Sequence, residues 1–445
     1  MDNLFEEFAK PGYQDWVNQL IKDLKGQPEE LIQRDDLIEE LNFNSYQHQD
    51  SGQTHPVDSM NNPYVRQTFR SSNQWENIGN IVVTNEETAN KQALSYLNMG
   101  VTALRFDIRK QSGLNWKQLT TEIQLEYIET TIVVDSYDQF SFIRSNLSES
   151  AFDKIHFEIE LTDLKLNEWD CFAKDLKKKQ QFTFLANGYA LQQCGATTWQ
   201  EVSYCLATAH EYLVRLTESG LTVDEAAACI HFNTGAGARY FYEIAKIRAL
   251  RILWSRILEE YQPTHMCTYA TRITGMTGFT NKSLKDPYTN LLRQTTEAMS
   301  LLFGGVHAVC VQPYDICSTK GATTLSTRMA INIPLILQEE SFLEKVIDPL
   351  GGSYTLEYLT NVIADKAWGE FRKLEELGGI GNEAAVNYMR TAVQQKADLR
   401  KQRIADKSDA FIGINIFPNP SEENNEWLPV DTYLGMPALN LEQSI

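Results

Sequence analysis

Eight short β-rich runs, each separated from the next by a helix-like stretch, constrain this 445-residue chain more than any other feature. They are Ile78–Val83, Val101–Ile108, Thr131–Asp135, Ile155–Leu161, Phe182–Asn187, Cys229–Asn233, His265–Ala270 and His307–Gln312. Strands alternating with helices form parallel sheets, because each crossover must return the chain to the same end of the sheet. A doubly wound sheet satisfies the same alternation, but eight units is the number that closes on itself. The expected fold is therefore α/β, a (β/α)8 TIM-type barrel over 75–338. An N-terminal helical arm (1–74) precedes it, and a C-terminal helical extension and tail (339–445) follow.

Helix signals fill the gaps. Thr84-Asn85-Glu86-Glu87 reads as a capping box opening a helix that ends near Gly100, and Thr198 with Glu201 repeats the signature after the fifth run. From about Arg239 to Tyr261, Phe241, Ile244, Ile247, Leu250, Leu253, Trp254, Ile257 and Leu258 recur at helical spacing. Lys246, Arg248, Arg251 and Arg256 fall largely off that stripe. In the arm, Trp16, Leu20, Ile21 and Leu24 share one helix face, and a polar stretch runs from about Asn42 to Asn62. Such an arm either wraps its own barrel or reaches a partner. Past the eighth run come helical segments at about 322–337, 355–378 and 383–405, then a β-like run, Phe411–Phe417.

Composition narrows the function classes. A net charge of −19 disfavours nucleic acid and anionic membrane as partners, since both are negative. No stretch approaches the roughly 20 apolar residues that span a bilayer, and Met1–Glu7 lacks the basic and apolar regions of a signal peptide. The seven cysteines show no CxxC pair and sit mostly in apolar runs, as buried free thiols do in a reducing cytoplasm. Cys310 and Cys317 lack a histidine or second cysteine pair to complete a metal set, so no metal is expected.

Several later segments carry a family resemblance. Thr327–Ser341, the turn Asp348-Pro349-Leu350-Gly351-Gly352-Ser353-Tyr354, Glu243–Ala249, Asp286–Asn290 with Glu297-Ala298-Met299, Gln193–Ala196 and Gly413-Ile414-Asn415 are each similar to stretches of methylmalonyl-CoA mutases, in the same order. The resemblance implies a barrel whose axis admits the pantetheine of an acyl-CoA. A C-terminal cobalamin domain carrying Asp-x-His-x-x-Gly would cap it, and no such motif occurs in this sequence.

The chemical positions depart from the family pattern. Catalytic members carry Arg-Gln-Tyr at the end of the first strand, where this chain reads Ile78-Gly79-Asn80. The histidine expected after Gly188-Tyr189 is Ala190, and the last strand reads Val309-Cys310-Val311-Gln312, retaining only Asp315. A radical isomerase needs donors that contact the radical and the polarised thioester. The resemblance thus implies a non-catalytic small subunit working beside a large catalytic subunit, with adenosylcobalamin on that partner and none held by this chain alone. Tyr189, Gln192, Arg272, Thr274, Gln312, Asp315 and Arg328 are the candidates for a vestigial acyl-CoA pocket. Two alternatives stand: a catalytic barrel served by a separate cobalamin chain, and an acyl-CoA-binding regulatory barrel.

Strand alternation adds an expectation about the barrel interior. With Leu104, Phe106 and Ile108 outward, Arg105 and Asp107 point inward; His156, Glu158, Glu160 and His231, with Asn233, do the same on the fourth and sixth strands. Even-numbered strands share interior layers, so Arg105 is expected to meet Glu158 or Glu160 with His231 nearby. Such a set suits either acid–base catalysis or an ion-pair plug filling the path of an acyl-CoA tail.

Overall fold

The computed structural model describes residues 11–25, 33–48, 59, 61–66, 70–111, 113–147, 154–160, 168–176, 182–418, 425–428 and 432–444. Met1–Glu7, most of the polar stretch before Asn62 and Leu161 at the end of the fourth run lie outside them. Eight parallel strands close into a barrel: β1 (Glu76–Val82), β2 (Ala103–Asp107), β3 (Glu129–Val133), β4 (Ile155–Glu160), β5 (Phe182–Asn187), β6 (Ile230–Ala236), β7 (Ile273–Thr277) and β8 (Ala308–Cys310). Closure comes from β8, which pairs with β7 on one side and β1 on the other.

Outward residues bury against the helix ring. Phe157 of β4 meets Phe140 of α3 (Tyr137–Ser145; α1 is Tyr13–Asp23 and α2 is Glu86–Asn98) edge-on at 4.8 Å. Phe184 of β5 stacks on Trp169 of α4 (Trp169–Leu176) at 5.4 Å. Phe232 of β6 meets Trp254 at 5.5 Å. After β5 a short helix, α5 (Gly188–Gln193), leads into α6 (Thr198–Glu218); α7 (Tyr240–Glu260) follows β6 and α8 (Thr289–Gly304) follows β7. Beyond β8 come α9 (Thr324–Glu339), α10 (Tyr354–Glu376) and α11 (Glu383–Ala405).

Several expectations need correction. His265–Ala270 is not the seventh strand: Met266–Tyr269 is a 3-10 turn, and β7 begins at Ile273. The Asp224 carboxylate takes the N–H groups of Thr264 and His265 and the Thr268 hydroxyl, which curls the run off the sheet. Capping after β5 starts one residue early, with Thr197 and Gln200 forming the box, and Glu201 turns inward. The stripe on α7 also fails as a boundary. Phe241 is 54% exposed, whereas Lys246, Arg248 and Arg251 are buried: Lys246 pairs with Glu201 of α6, Arg248 lies under α10 against Glu357, and Arg251 donates to the Gly304 carbonyl at the end of α8. Phe411–Phe417 forms a turn around Gly413 with one bridge, Ile412 to Ile416, rather than a strand.

The described part of the arm packs on its own barrel. Glu39 receives the Thr198 N–H at 2.8 Å and its carbonyl takes the Trp199 indole N–H at 2.9 Å. Tyr358 donates to the Asn42 carbonyl at 2.7 Å. Helix α1 buries none of its residues fully; Trp16 lies 4.5 Å from Tyr46 in a small aromatic group.

Candidate functional site

Along the barrel axis the strands point large polar side chains at one another. Arg105 (β2) donates through Nε to Glu158 (β4) at 3.1 Å and through a terminal nitrogen to the same oxygen. Its other terminal nitrogen reaches Asn80 Oδ1 of β1 at 2.8 Å. Burial alone would lower the Arg105 pKa, but Glu158 outweighs it and the net shift is upward. Toward the base, His156 Nε2 sits 3.2 Å from Glu129, and Arg272 lies 3.6 Å from Glu76. Burial first, then Arg272, holds the pKa values of His156 and His231 down, far down for His231. What stays open among these side chains is a cavity of about 40 Å³. That is space for about one water molecule, against the roughly 300–1,000 Å³ of small-molecule sites.

Glu160 and Asp107 do not join the Arg105 layer. Arg109 binds both, meeting Asp107 Oδ2 at 2.7 Å and Glu160 Oε1 at 3.1 Å, while Asn187 also donates to Glu160 at 3.0 Å. Despite burial, Arg109 and then Arg105 hold the Asp107 pKa down. The sequence lacked a signal for Arg109, which sits one residue past the second run.

The residues grouped as a vestigial pocket are scattered. Arg272 precedes β7 and Thr274 is its second residue, so both line the narrow axial cavity near its base rather than the strand ends. Arg328 is exposed on α9. At the strand-end mouth, Gln312 donates its backbone N–H to the Thr277 hydroxyl at 2.9 Å, and Asp315 accepts from the Thr323 N–H at 3.2 Å. The Tyr189 hydroxyl is buried without a partner among the described residues, and burial pushes its pKa well up. Over this mouth lies the tail. Leu439 N–H donates to the Gln193 carbonyl at 2.6 Å, and Cys194 Sγ donates to the Met436 carbonyl at 3.7 Å. Glu442 accepts from Ser283 Oγ, Leu284 N, Lys285 N and Trp427 Nε1 at 2.7–3.0 Å.

Gln192 faces elsewhere, into a groove of about 640 Å³ beside the mouth. Its walls are the α5–α6 turn, the loop entering α7, the first turns of α8, the end of α11 and the tail at Leu439 and Leu441. Below it Lys246 Nζ is bound to Glu201 at 2.7 Å, to the Gly235 carbonyl at 2.6 Å and to Glu243, all buried. Burial raises the Glu201 pKa to about 7 against the pull of Lys246. Lys282 binds Glu297 at 2.6 and 2.7 Å on the opposite side. Sequence reasoning missed this groove: Glu201 read as a cap and Lys246 as a solvent-facing charge.

A family model described as methylmalonyl-CoA mutase matches residues 166–436. The methylmalonyl-CoA mutase small subunit of Porphyromonas gingivalis is 33% identical over 449 residues, covering 95% of this chain and 72% of that protein. The chain belongs to the methylmalonyl-CoA mutase family. Methylmalonyl-CoA mutase of Rhizobium meliloti is 34% identical across 58% of this chain, and the human mitochondrial enzyme 34% across 59%. Those matches span only 36% and 35% of the two relatives' lengths.

At the positions where the chain departs from the mutase pattern, the side chains have other contacts. Asn80 is a partner of Arg105. Ala190 contributes its N–H to the Asn187 side chain at 3.1 Å, capping α5. Cys310 faces the axis, where burial pushes its thiol up to about 11. Ordinary buried thiols behave this way, and activated nucleophiles do not.

Proposed function

We propose that this chain is the non-catalytic small subunit of a heterodimeric, adenosylcobalamin-dependent methylmalonyl-CoA mutase, with the interconversion of methylmalonyl-CoA and succinyl-CoA carried out by a large partner subunit. One observation carries the reading. The barrel axis, the route a pantetheine arm would take, holds the Arg105–Glu158–Asn80 contact set and a cavity of only about 40 Å³. Arg105 and Glu158, with the neighbouring Asp107, Glu160, His156 and His231, act as a plug rather than as acid–base groups. The 33% identity to a mutase small subunit agrees with it.

The chain's own residues do not suit the cofactor. His156 and His231 are second residues of their strands and His307 precedes β8, so all three lie at or toward the base. His210 is held between Glu375 at 2.9 Å and Tyr261 at 2.8 Å. None of these is placed at the strand-end mouth. Among the described residues no group of three His, Cys, Asp or Glu is arranged for a metal ion, and no helix is long and apolar enough to cross a membrane.

The test is co-sedimentation of this chain with the large mutase subunit of the same organism, with isomerase activity assayed in each fraction. A one-to-one complex, active only where the large subunit is present, is the expected result. Turnover by this chain with a free-standing cobalamin protein would overturn the reading, as would saturable binding of a CoA ester along the axis.

A further inference from the structure

The off-axis groove has the features of a ligand site independent of any subunit role. Its floor is the N-terminus of α7, a long helix whose first turn has no side-chain cap. Glu243 Oε1 takes the Gly237 N–H at 3.0 Å, but the N–H groups of Ala238 and Arg239 have no acceptor among the described residues, and both residues line the groove. Beside them is Gln192, 8% exposed. Its Oε1 is taken by Gln193, leaving Nε2 without an acceptor, and that nitrogen lies 3.4 Å from where a Cβ on Gly237 would stand. A Cβ at Gly235 would come within 2.7 Å of Gln192 Oε1, so glycine there makes room for the amide. Free N–H groups at a helix N-terminus, joined by a buried amide donor, form an anion-binding arrangement.

The charges around the groove set the ligand's charge. Each lining carboxylate is ion-paired: Glu39 with Arg400 at 3.2 Å, Glu297 with Lys282, Asp409 with Arg403 at 2.7 Å, and Glu201 and Glu243 both with the one Lys246. Arg239 is committed to Asp36. Arg293 differs. Its guanidinium donates only to Asn290 Oδ1 and the Ile412 carbonyl, at 2.7 and 2.6 Å, and lies 4.8 Å over the Phe411 ring. It makes no ion pair within 4 Å among the described residues; Asp286, Glu297 and Glu442 act on it only from farther away. Arg293 is thus the lining cation, among the described residues, that has no ion pair, and it favours an anionic group beside it.

The rest of the groove is apolar. Phe411, Leu439 and Leu441 line it, and Leu292 and Ile412 stand at the rim 71% and 48% exposed. We propose that this groove binds an amphipathic monoanion, an organic carboxylate bearing a short apolar chain, with its head at the α7 N-terminus, Gln192 and Arg293 and its chain along Leu292 and Phe411.

The test is calorimetric titration of the full chain with sodium octanoate and, separately, with inorganic phosphate. Saturable one-to-one binding of octanoate and much weaker binding of phosphate are expected. Arg293→Gln should weaken octanoate by about tenfold, the loss of one charge-assisted contact. Leu292→Ser, at an exposed position that folding does not need, should weaken octanoate while leaving phosphate unchanged. Absence of saturation, affinity unmoved by both substitutions, or phosphate binding as tightly as octanoate would each overturn the proposal.

Discussion

The barrel axis and the groove beside it use the same ingredients to opposite effect. Both collect arginines, carboxylates and amides, the axis mainly from strands and the groove mainly from helices. On the axis Arg105 reaches across to Glu158 and Asn80 on other strands, and the space closes to about 40 Å³. In the groove the charged groups pair downward into the wall, Lys246 with Glu201 and Glu243, Lys282 with Glu297, and about 640 Å³ stays open above them. Whether a polar cluster fills a space or lines one depends on which way its ion pairs run. A barrel of this type can therefore lose its axial channel and still present a cavity.

The sharpest way to break that contrast is at Arg105. Arg105→Met leaves Glu158 buried without a cation and should cost about 3–5 kcal/mol in urea denaturation. Adding Glu158→Leu should restore most of it, because a filled apolar axis closes as well as a polar one. Failure of the double variant to recover would mean the ion pair does more than occupy volume.

Acid should distinguish the regions next. His156, His231 and His307 at the base are held below their ordinary range by burial, and then by Arg272 for the first two and Arg251 for the third. The unfolded chain takes up protons near pH 6.5 where the folded chain does not. Their stability contribution is complete above that pH and falls as pH drops below it, by about 1.4 kcal/mol per pH unit for each group. Asp36 and Asp107, with depressed values, act only at lower pH, since their unfolded forms titrate near 4. A urea midpoint unchanged between pH 7.5 and 5.5 would mean that the base is already hydrated.

Smaller effects belong to the groove. Thr197→Ala removes the cap of α6, whose first turn forms one wall, and should cost about 1 kcal/mol in thermal unfolding. Leu292→Ser should change stability by less than about 0.5 kcal/mol, as exposed substitutions do. A larger loss would show that the rim is already covered by a packed surface.

The barrel was legible because strands carry their own two-residue period. Arg105, Glu158, His156 and His231 line the axial cavity, where alternation put them. The seventh strand was not, since Ile273–Thr277 contains a glycine and two threonines and is less apolar than the turn before it. What α7 buries was also hidden. Its two faces are covered by segments 109 and 45 residues away: Arg248 is sealed under α10 against Glu357, and Lys246 meets Glu201 of α6. No local pattern reports a contact of that range. The groove is invisible for the same reason, because its walls come from stretches far apart in the chain and no motif names it.

The tail across the mouth has a consequence in time. Cys194 bonds to Met436 across 242 residues of chain. At a synthesis rate of about 5–20 residues per second, that separation lasts roughly 12–48 s. Throughout that interval the loop after β5 is made but uncovered, and Ser283, Leu284 and Lys285, once made, wait in turn for the carboxylate of Glu442. The strand-end mouth is the last part of the barrel to be finished, so the nascent chain passes through a stage that is open where the mature one is shut.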